Sequence, residues 1–290
     1  MLHVDVRSSL RPGKHWRLLL ALALVAGLSV ALVHGQDAGA DARRQRLDEI
    51  LDTYVRDGLV YYRALKAERT GLDAYVASLA DVRLDTASPK EQAAFWLNAY
   101  NAVVLRTVID HYPITGQSRD YPPGSVRQIP GAFERLAHRL AGRTLTLDEI
   151  EQGVLPAFHD PRLYFALGRG AVGSGRLRSE AYSPERLEQQ LAEDAAECTA
   201  RLPCVQVDAG RDVMRVSAIF SWRRAEFVDA YADRASTGFK ERSPIERAVL
   251  AFIDPRVLVG ERAFLTKNTF RLEYLPFDWS LNDLTGRGGR

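Results

Sequence analysis

The chain contains few of the residue types that form reactive centres and metal sites. Its 290 residues include two cysteines, two methionines and six histidines. Two thiols without a neighbouring histidine cannot supply the four ligands of a structural zinc site. We therefore expect neither a metal ion nor another cofactor.

The chain also lacks an excess of charge of one sign. Its formal net charge is +2, but residues 1–35 hold four basic residues and one acidic residue. The remainder has 35 basic and 36 acidic residues, so it carries a net charge near −1. Because nucleic-acid binding requires a basic surface, this balance argues against a nucleic-acid partner.

The first 35 residues have the order of parts of a secretory signal peptide. Four basic residues come first (Arg7, Arg11, Lys14 and Arg17). An apolar run over 18–33 follows, and Gly35 precedes an expected cleavage before Gln36. The alternative is a retained membrane tether, but sixteen helical residues at about 1.5 Å each span roughly 24 Å, less than a hydrocarbon core of about 30 Å. We expect a periplasmic or secreted protein with no stable membrane insertion after cleavage.

Cys198 and Cys204 lie six positions apart in the exported part of the chain. An oxidising compartment permits a disulfide across such a short loop. The alternative is a pair of small buried side chains.

Beyond the signal segment, the sequence predicts a flexible lead-in over 36–42, one α+β domain over 43–284 and a flexible tail over 285–290. The domain is expected to be mostly helical, with a small antiparallel or mixed sheet around a buried central helix at about 89–111. A capping box of Ser88 and Glu91, with proline between them, begins this helix. Its residues are apolar nearly all round, which is typical of a helix buried on most faces.

Other elements follow from local signals. A second capping box, Thr146 to Glu149, predicts a short helix that ends before Pro156. Residues 162–167 are short and mostly apolar and are predicted to form a strand. Further predicted elements are a helix from Ser183 to about Thr199, a hairpin with arms at 205–207 and 213–216, helices at about 223–232 and from Ser243, and a late strand over 270–275.

A glycine-rich loop over 168–178 is the first candidate site. Residues 168–173 match G-x-G-x-x-G, but the next helix cap comes only at Ser183, so the pattern does not fit a dinucleotide fingerprint. A second interpretation is a loop that binds an anion. Its exposed backbone amides, including those of Gly170 and Gly173, would act together with nearby arginines. These are Arg169, Arg176 and Arg178. The alternative is a structural turn that uses glycine where φ is positive.

Ser174 lies in this loop and is a candidate nucleophile, and His159 is the most suitable base. Asn98 and Asn101 are three residues apart on the central helix, so they share a face. Buried amides need partners, and these two either fix loop backbone or orient a catalytic group.

The chain resembles the domain-of-unknown-function 547 family over about 45–282. The motifs that carry the resemblance are Phe95 to Ala102 (FWLNAYNA), Asp160-Pro161-Arg162 with Phe165-Ala166-Leu167, Ala181-Tyr182, Ser217 to Trp222 with Glu226-Phe227, and Tyr274 to Asn282. The resemblance implies no established reaction, substrate or cofactor. Many members carry a histidine where this chain has Tyr164, and a cysteine-bearing, proline-containing stretch where it has Arg169 and 174–176. A thiol mechanism in this chain is therefore in doubt.

Two hypotheses follow for the exported domain. The first is a hydrolase or acyl-transfer enzyme, with Ser174 as nucleophile and loop amides as oxyanion donors. Its site would also contain Asn98, Asn101, Arg162 and Tyr164. The second is a non-catalytic module in which the arginines of the same loop capture an anionic small molecule or peptide.

Overall fold

The computed structural model describes residues 39–257 and 259–285. The predicted signal segment 1–35 lies outside these residues, as do 286–290 of the predicted tail. Helix α1 spans 39–54 and so begins inside the predicted lead-in. No helix in the described part of the chain is both long and apolar enough to cross a membrane.

Short elements follow α1. Strands β1 (Val55–Arg56) and β2 (Leu59–Val60) form a tight antiparallel pair. Helices α2 (Tyr62–Ala67) and α3 (Thr70–Ser78) come next, separated by a turn at Glu68. Their apolar side chains Leu65, Leu72 and Tyr75 are buried.

Helix α4 (Pro89–His111) lies at the centre of the fold, which confirms the predicted central helix. Its capping box is formed in full: the Ser88 N–H donates to Glu91 Oε2 over 2.6 Å and the Glu91 N–H donates to Ser88 Oγ over 3.3 Å. Fifteen of its 23 residues are buried. Most of its faces are therefore packed against other elements.

After α4 the chain forms an irregular loop, a 3₁₀ turn at Val126–Gln128, and a hairpin of β3 (His138–Leu140) and β4 (Arg143–Leu145). The second predicted capping box begins α5 (Leu147–Glu149). Helical turns then continue past the predicted end, as a π turn over Ile150–Val154 and a 3₁₀ turn over Leu155–Phe158. Proline is tolerated in the first turn of a helix, so Pro156 does not end this run.

The predicted strand over 162–167 is wrong, because Pro161–Phe165 forms a 3₁₀ helix. Asp160 caps it, since its Oδ1 accepts from the Arg162 N–H over 3.0 Å. Leu163, Tyr164 and Phe165 are all buried. A short apolar run that is buried on every side has no periodicity that separates strand from helix.

The C-terminal half contains the only three-stranded sheet among the described residues. Strand β5 (Val205–Asp208) pairs antiparallel with β6 (Val213–Val216), which pairs parallel with β7 (Arg271–Tyr274). Its helices are α6 (Leu187–Thr199), α7 (Ala218–Trp222), α8 (Arg224–Tyr231), α9 (Pro244–Ile253) and α10 (Val259–Lys267). The predicted hairpin, late strand and mostly helical α+β class are confirmed.

Cys198 and Cys204 form a disulfide, with 5.4 Å between their Cα atoms. The bridge joins the end of α6 to the start of β5. The predicted pairing is confirmed.

Candidate functional site

Asn98 and Asn101 of α4 each hold a separate stretch of backbone. The Asn98 amide donates to the Tyr182 carbonyl and accepts from the Tyr182 N–H, both over 2.8 Å. The Asn101 amide donates to the Ala166 carbonyl over 3.0 Å and accepts from the Gly168 N–H over 2.8 Å. The two side chains therefore fix both flanks of the glycine-rich loop, and all of these contacts are buried.

The glycine-rich loop is itself largely buried, and five of its N–H groups have acceptors within the protein. Five such bonds run from Gly168 to Asn101 Oδ1, from Arg169 to Ser174 Oγ, from Val172 to the Ser280 carbonyl, from Gly173 to the Asp278 carbonyl and from Ser174 to the Ala171 carbonyl. These five amides are not free to bind a ligand anion or an oxyanion. Anion or oxyanion binding by the loop stays a prediction without a formed contact.

Two loop glycines have clear structural reasons. Gly170 has φ of +67°, a region that favours glycine, as the structural-turn reading predicted. A Cβ on Gly173 would lie 2.7 Å from the Asp278 nitrogen, so glycine permits the loop to approach the C-terminal segment. Both roles concern the backbone, whereas ligand binding by Gly170 and Gly173 stays a prediction.

Ser174 is 6% exposed, and its hydroxyl oxygen accepts the Arg169 N–H over 3.0 Å. His159 is exposed, with φ of +53° at the end of the 155–158 turn. It lines a cavity of about 40 Å³ together with Tyr164 and Glu226. In the part of the chain that the structure describes, no hydrogen bond joins Ser174 to His159. A nucleophile activated by this base stays a prediction without a formed contact.

Arg169 is a buried member of an ion network rather than a solvated ligand-binding group. Its side chain is 2% exposed, and Nη2 and Nε donate to the Glu151 carboxylate over 2.7 and 3.1 Å. Its Nη1 also donates to the Tyr164 carbonyl over 3.2 Å. Burial acts to raise the pKa of Glu151, but the ion pairs with Arg169 and Arg223 outweigh it and lower this pKa to about 2.

Tyr164 and Arg223 extend this network towards the surface. The Arg223 Nη2 donates to Glu151 over 2.9 Å, and its guanidinium carbon lies 4.4 Å from the centre of the Tyr164 ring. The Tyr164 hydroxyl donates to Glu226 over 3.2 Å. Burial, more than any neighbouring charge, raises the pKa of Tyr164 above its usual value. Tyr164 thus serves as an apolar wall and a neutral hydrogen-bond donor.

Sequence reasoning missed Glu151 and Arg223, the two residues that complete the network. Glu151 had no distinct local signal, because it stands beside the polar Gln152 in the turn between Ile150 and Val154. It lies in the π turn, a rare geometry that often marks functional positions. Arg223 follows α7 directly and had no signal apart from its place after an apolar helix.

The other predicted ligand-binding arginines also have carboxylate partners. Arg162 contacts Asp160 over 2.6 Å and Glu188 over 2.7 Å. Arg176 is 41% exposed, pairs with Asp57 and lies 3.9 Å from Glu197.

Arg178, the third arginine of the loop, pairs with Glu180, Glu193 and Asp194. Arg176 and Arg178 line a depression of about 280 Å³ together with five carboxylates. The five are Asp57, Glu180, Glu193, Asp194 and Glu197. An anionic ligand would meet more negative than positive charge at this end of the loop.

A larger cleft of about 800 Å³ lies elsewhere, at the N-terminal end of α4. We call it the α4 cleft; Pro89, Gln92 and Trp96 of α4 line one side. The other sides are formed by residues 81–85, by the β3–β4 turn at 141–143 and by 153, 154, 157 and 158. Its volume lies in the range of small-molecule sites, roughly 300–1,000 Å³.

The α4 cleft combines apolar side chains with two arginines. Phe158 contributes half-buried aromatic surface, whereas Trp96 lines the cleft but is only 4% exposed. Arg83 and Arg143 are exposed. The Arg143 guanidinium carbon lies 5.9 Å from the Trp96 ring centre. Within residues 39–257 and 259–285, neither arginine forms an ion pair with a carboxylate. Sequence reasoning missed this site, because its residues come from four separate segments.

No group of three or more histidine, cysteine or carboxylate side chains among the described residues has the arrangement of a metal site.

The fold and its polar interior define a helical α+β domain in which Asn98 and Asn101 hold the flanks of a glycine-rich loop on the central helix. A buried ion network joins the same loop to Glu151 and Arg223. The model of the family described as "Protein of unknown function, DUF547" matches residues 84–197. This match confirms the predicted resemblance over that segment, which contains α4, Glu151 and the loop. No curated protein and no solved structure matches the chain.

Proposed function

We propose that this chain is an extracytoplasmic protein that binds an anionic, partly apolar small molecule in the α4 cleft and does not transform it. The observation that carries the proposal is the cleft itself, which Arg83 and Arg143 line together with the half-buried side chains of Leu84 and Phe158. Carboxylate or phosphate oxygens of the ligand would bind the exposed guanidinium groups, while its apolar body packs on Leu84 and Phe158.

The charge balance of the cleft supports an anion. Asp81 also lines it, but Arg139 pairs with that carboxylate over 2.8 Å. Asp85 is the remaining acidic residue, set against Arg83 and Arg143. Two arginines and two aspartates line the cleft, and the adjacent Arg139 brings the balance to about one positive charge, unlike the acidic depression beside Arg176.

A binding role also agrees with the state of the glycine-rich loop. A serine hydrolase needs a base for its nucleophile and free N–H donors for the oxyanion. The Ser174 hydroxyl accepts a loop amide, and five loop amides are already bonded. Export is supported by the predicted signal segment and by the disulfide, which is typical of oxidising compartments.

Isothermal titration calorimetry with indole-3-acetate, decanoate and phenyl phosphate tests the proposal. At least one probe should bind saturably, and Arg83→Ala and Arg143→Ala should each weaken it about tenfold or more, because a hydrogen bond to a charged group contributes roughly 1.5–3 kcal/mol. Arg119→Ala is the matched control, since Arg119 is exposed and does not line the cleft. Its affinity should equal that of the wild type.

Two outcomes would overturn the proposal. One is that no probe binds, or that all three arginine variants bind equally well. The other is hydrolysis of p-nitrophenyl butyrate that disappears in Ser174→Ala, which would establish the enzyme hypothesis instead.

A further inference from the structure

His138, at the start of strand β3, is a buried histidine whose two ring nitrogens have different surroundings. The residue is 9% exposed, and its Nε2 has no hydrogen-bond partner among the residues that the structure describes. Its Nδ1 lies 3.2 Å from Nη2 of Arg106 on α4. Because a guanidinium group only donates, Nδ1 accepts this bond and the ring hydrogen is on Nε2. The packed ring is therefore neutral.

A second proton on this ring would be unfavourable in the packed hairpin. It would lie on Nδ1 and point at the Arg106 guanidinium, where a hydrogen-bond donor already stands. The residue directly opposite His138 on β4 is the buried, apolar Leu145. Burial and, after it, the charge of Arg106 lower the pKa of His138 to about 4.

The nearby carboxylates do not offset this repulsion. Asp110 of α4 acts to raise the pKa of His138, but it is exposed and pairs with Arg69. The charge of Arg106 also acts on Asp73 of α3, and Asp73 pairs with Arg69 as well. Both carboxylates are thus shared with another arginine, so a proton on His138 would add a second positive charge beside Arg106.

The β3–β4 hairpin connects His138 to the α4 cleft. His138 contacts Arg106 at one end of the hairpin, and at the other end the Arg143 guanidinium carbon lies 5.9 Å from the Trp96 ring centre. The stretch of α4 from residue 96 to residue 106 is about 15 Å long, at about 1.5 Å per residue. The hairpin turn at 141–143 lines the cleft. Release of the hairpin would therefore remove one wall of the cleft and one of its two arginines.

We propose that His138 is an acid-sensitive latch, which holds the β3–β4 hairpin on α4 and thereby keeps Arg143 in the α4 cleft. Above about pH 6.5 the ring is neutral whether the hairpin is packed or released. As the pH falls below 6.5, the released ring takes up a proton and the packed ring does not, so the packed hairpin loses stability until the pH reaches about 4. The consequence for ligand binding rests on the proposed function.

Hydrogen exchange of the amides of residues 138–145, followed by mass spectrometry at pH 7.5 and pH 4.5, tests the latch without any ligand. Each rate is divided by that of an unstructured chain, which removes the pH dependence of the exchange reaction itself. The protection of the hairpin should fall about 70-fold in the wild type between these pH values, given the packed and released pKa values of His138. His138→Asn keeps an acceptor in place of Nδ1 and takes up no proton, so its loss of protection should be at least tenfold smaller.

His111→Asn is the control, because His111 is exposed at the end of α4 and does not line the cleft. It should show the same loss of protection as the wild type. His138→Gln replaces His138→Asn if circular dichroism at pH 7.5 shows that the latter does not fold. A loss below tenfold in the wild type, or a loss in the His138 variant within tenfold of the wild type, would overturn the latch.

Ligand binding at pH 7.5 gives a second readout. Indole-3-acetate, decanoate or phenyl phosphate, whichever binds, should raise the protection of the same amides about a hundredfold at about 100 times its dissociation constant, because the bound protein must keep the hairpin packed. A bound probe that leaves this protection unchanged would refute the coupling of the latch to the cleft. If no probe binds, the proposed function fails, whereas the exchange without ligand still decides for or against the latch.

Discussion

Replacing Glu151 with glutamine tests the buried ion network directly. The change keeps the shape of the side chain but leaves Arg169 and Arg223, which are 2% and 3% exposed, without their shared carboxylate. Removing one partner of a buried ion pair typically costs 3–5 kcal/mol. The lowered pKa of Glu151 gives a second value for this cost. A decrease from 4.5 to about 2 corresponds to about 3 kcal/mol of folding free energy at neutral pH.

The two values agree, and the pH dependence sharpens the test. A carboxyl whose pKa is lowered in the folded state stabilises the protein above the unfolded pKa, and this contribution is lost as the pH falls through the folded pKa. The difference in unfolding free energy between wild type and Glu151→Gln should therefore be about 3 kcal/mol at pH 7 and should shrink to about 1 kcal/mol at pH 2.5.

Urea unfolding followed by circular dichroism at several pH values measures this difference. Glu241→Gln is the control, because Glu241 is 88% exposed in its side chain and should change stability by less than about 0.5 kcal/mol. A Glu151→Gln protein as stable as the wild type, or a difference that does not change between pH 7 and pH 2.5, would refute the reasoning.

Three further predictions concern the same loop and its surroundings. Gly175→Ala should unfold the protein or lower its melting temperature sharply, since the new Cβ would lie 1.5 Å from the Phe165 carbonyl oxygen, whereas Gly153→Ala meets nothing within 4 Å and should be tolerated. Asn101→Ala should cost about 2–5 kcal/mol in urea unfolding, because it leaves a buried N–H and a buried carbonyl without partners. Reduction of Cys198–Cys204 should lower stability by about 2 kcal/mol, as expected for a short closed loop, and an unchanged melting temperature would contradict this.

The features that sequence predicted well are those set by neighbouring residues. The two capping boxes at Ser88 and Thr146 each need one side chain and a second side chain three positions later, and both are formed. The 205–216 hairpin likewise depends on alternation within a few residues. Local backbone geometry decides these elements, and tertiary contacts do not override it.

The wrong strand prediction over 162–167 shows that local sequence signals do not distinguish strand from helix in a fully buried apolar run. Its apolar residues are buried because several elements surround them, including Phe220 and Phe252, which lie 5.2 and 5.4 Å from the Phe165 ring. Burial on all sides removes the alternation that identifies a strand. Asp160 and Pro161 favour a helical start, and the structure follows them.

The site predictions depended on partners that the sequence places far away. Asn98 and Asn101 were correctly read as buried amides that need partners, and each binds backbone that lies 65 or more positions later. The ion-pair partners of the loop arginines could not be predicted in this way. Arg169 pairs with a glutamate 18 positions earlier, and Arg178 with Asp194, 16 positions later. A glycine-rich loop with three arginines looks the same in sequence whether its charges face solvent or are already neutralised.

That difference determines where a ligand can bind in this molecule. An arginine held by a buried carboxylate gains little from a ligand anion, because the ligand must displace an interaction that is already desolvated. An exposed arginine without a carboxylate partner loses only water when it binds an anion. In the part of the chain that the structure describes, Arg83 and Arg143 meet this condition and also line the α4 cleft. We therefore propose the anion site at the α4 cleft, and anion binding at the glycine-rich loop stays a prediction without a formed contact.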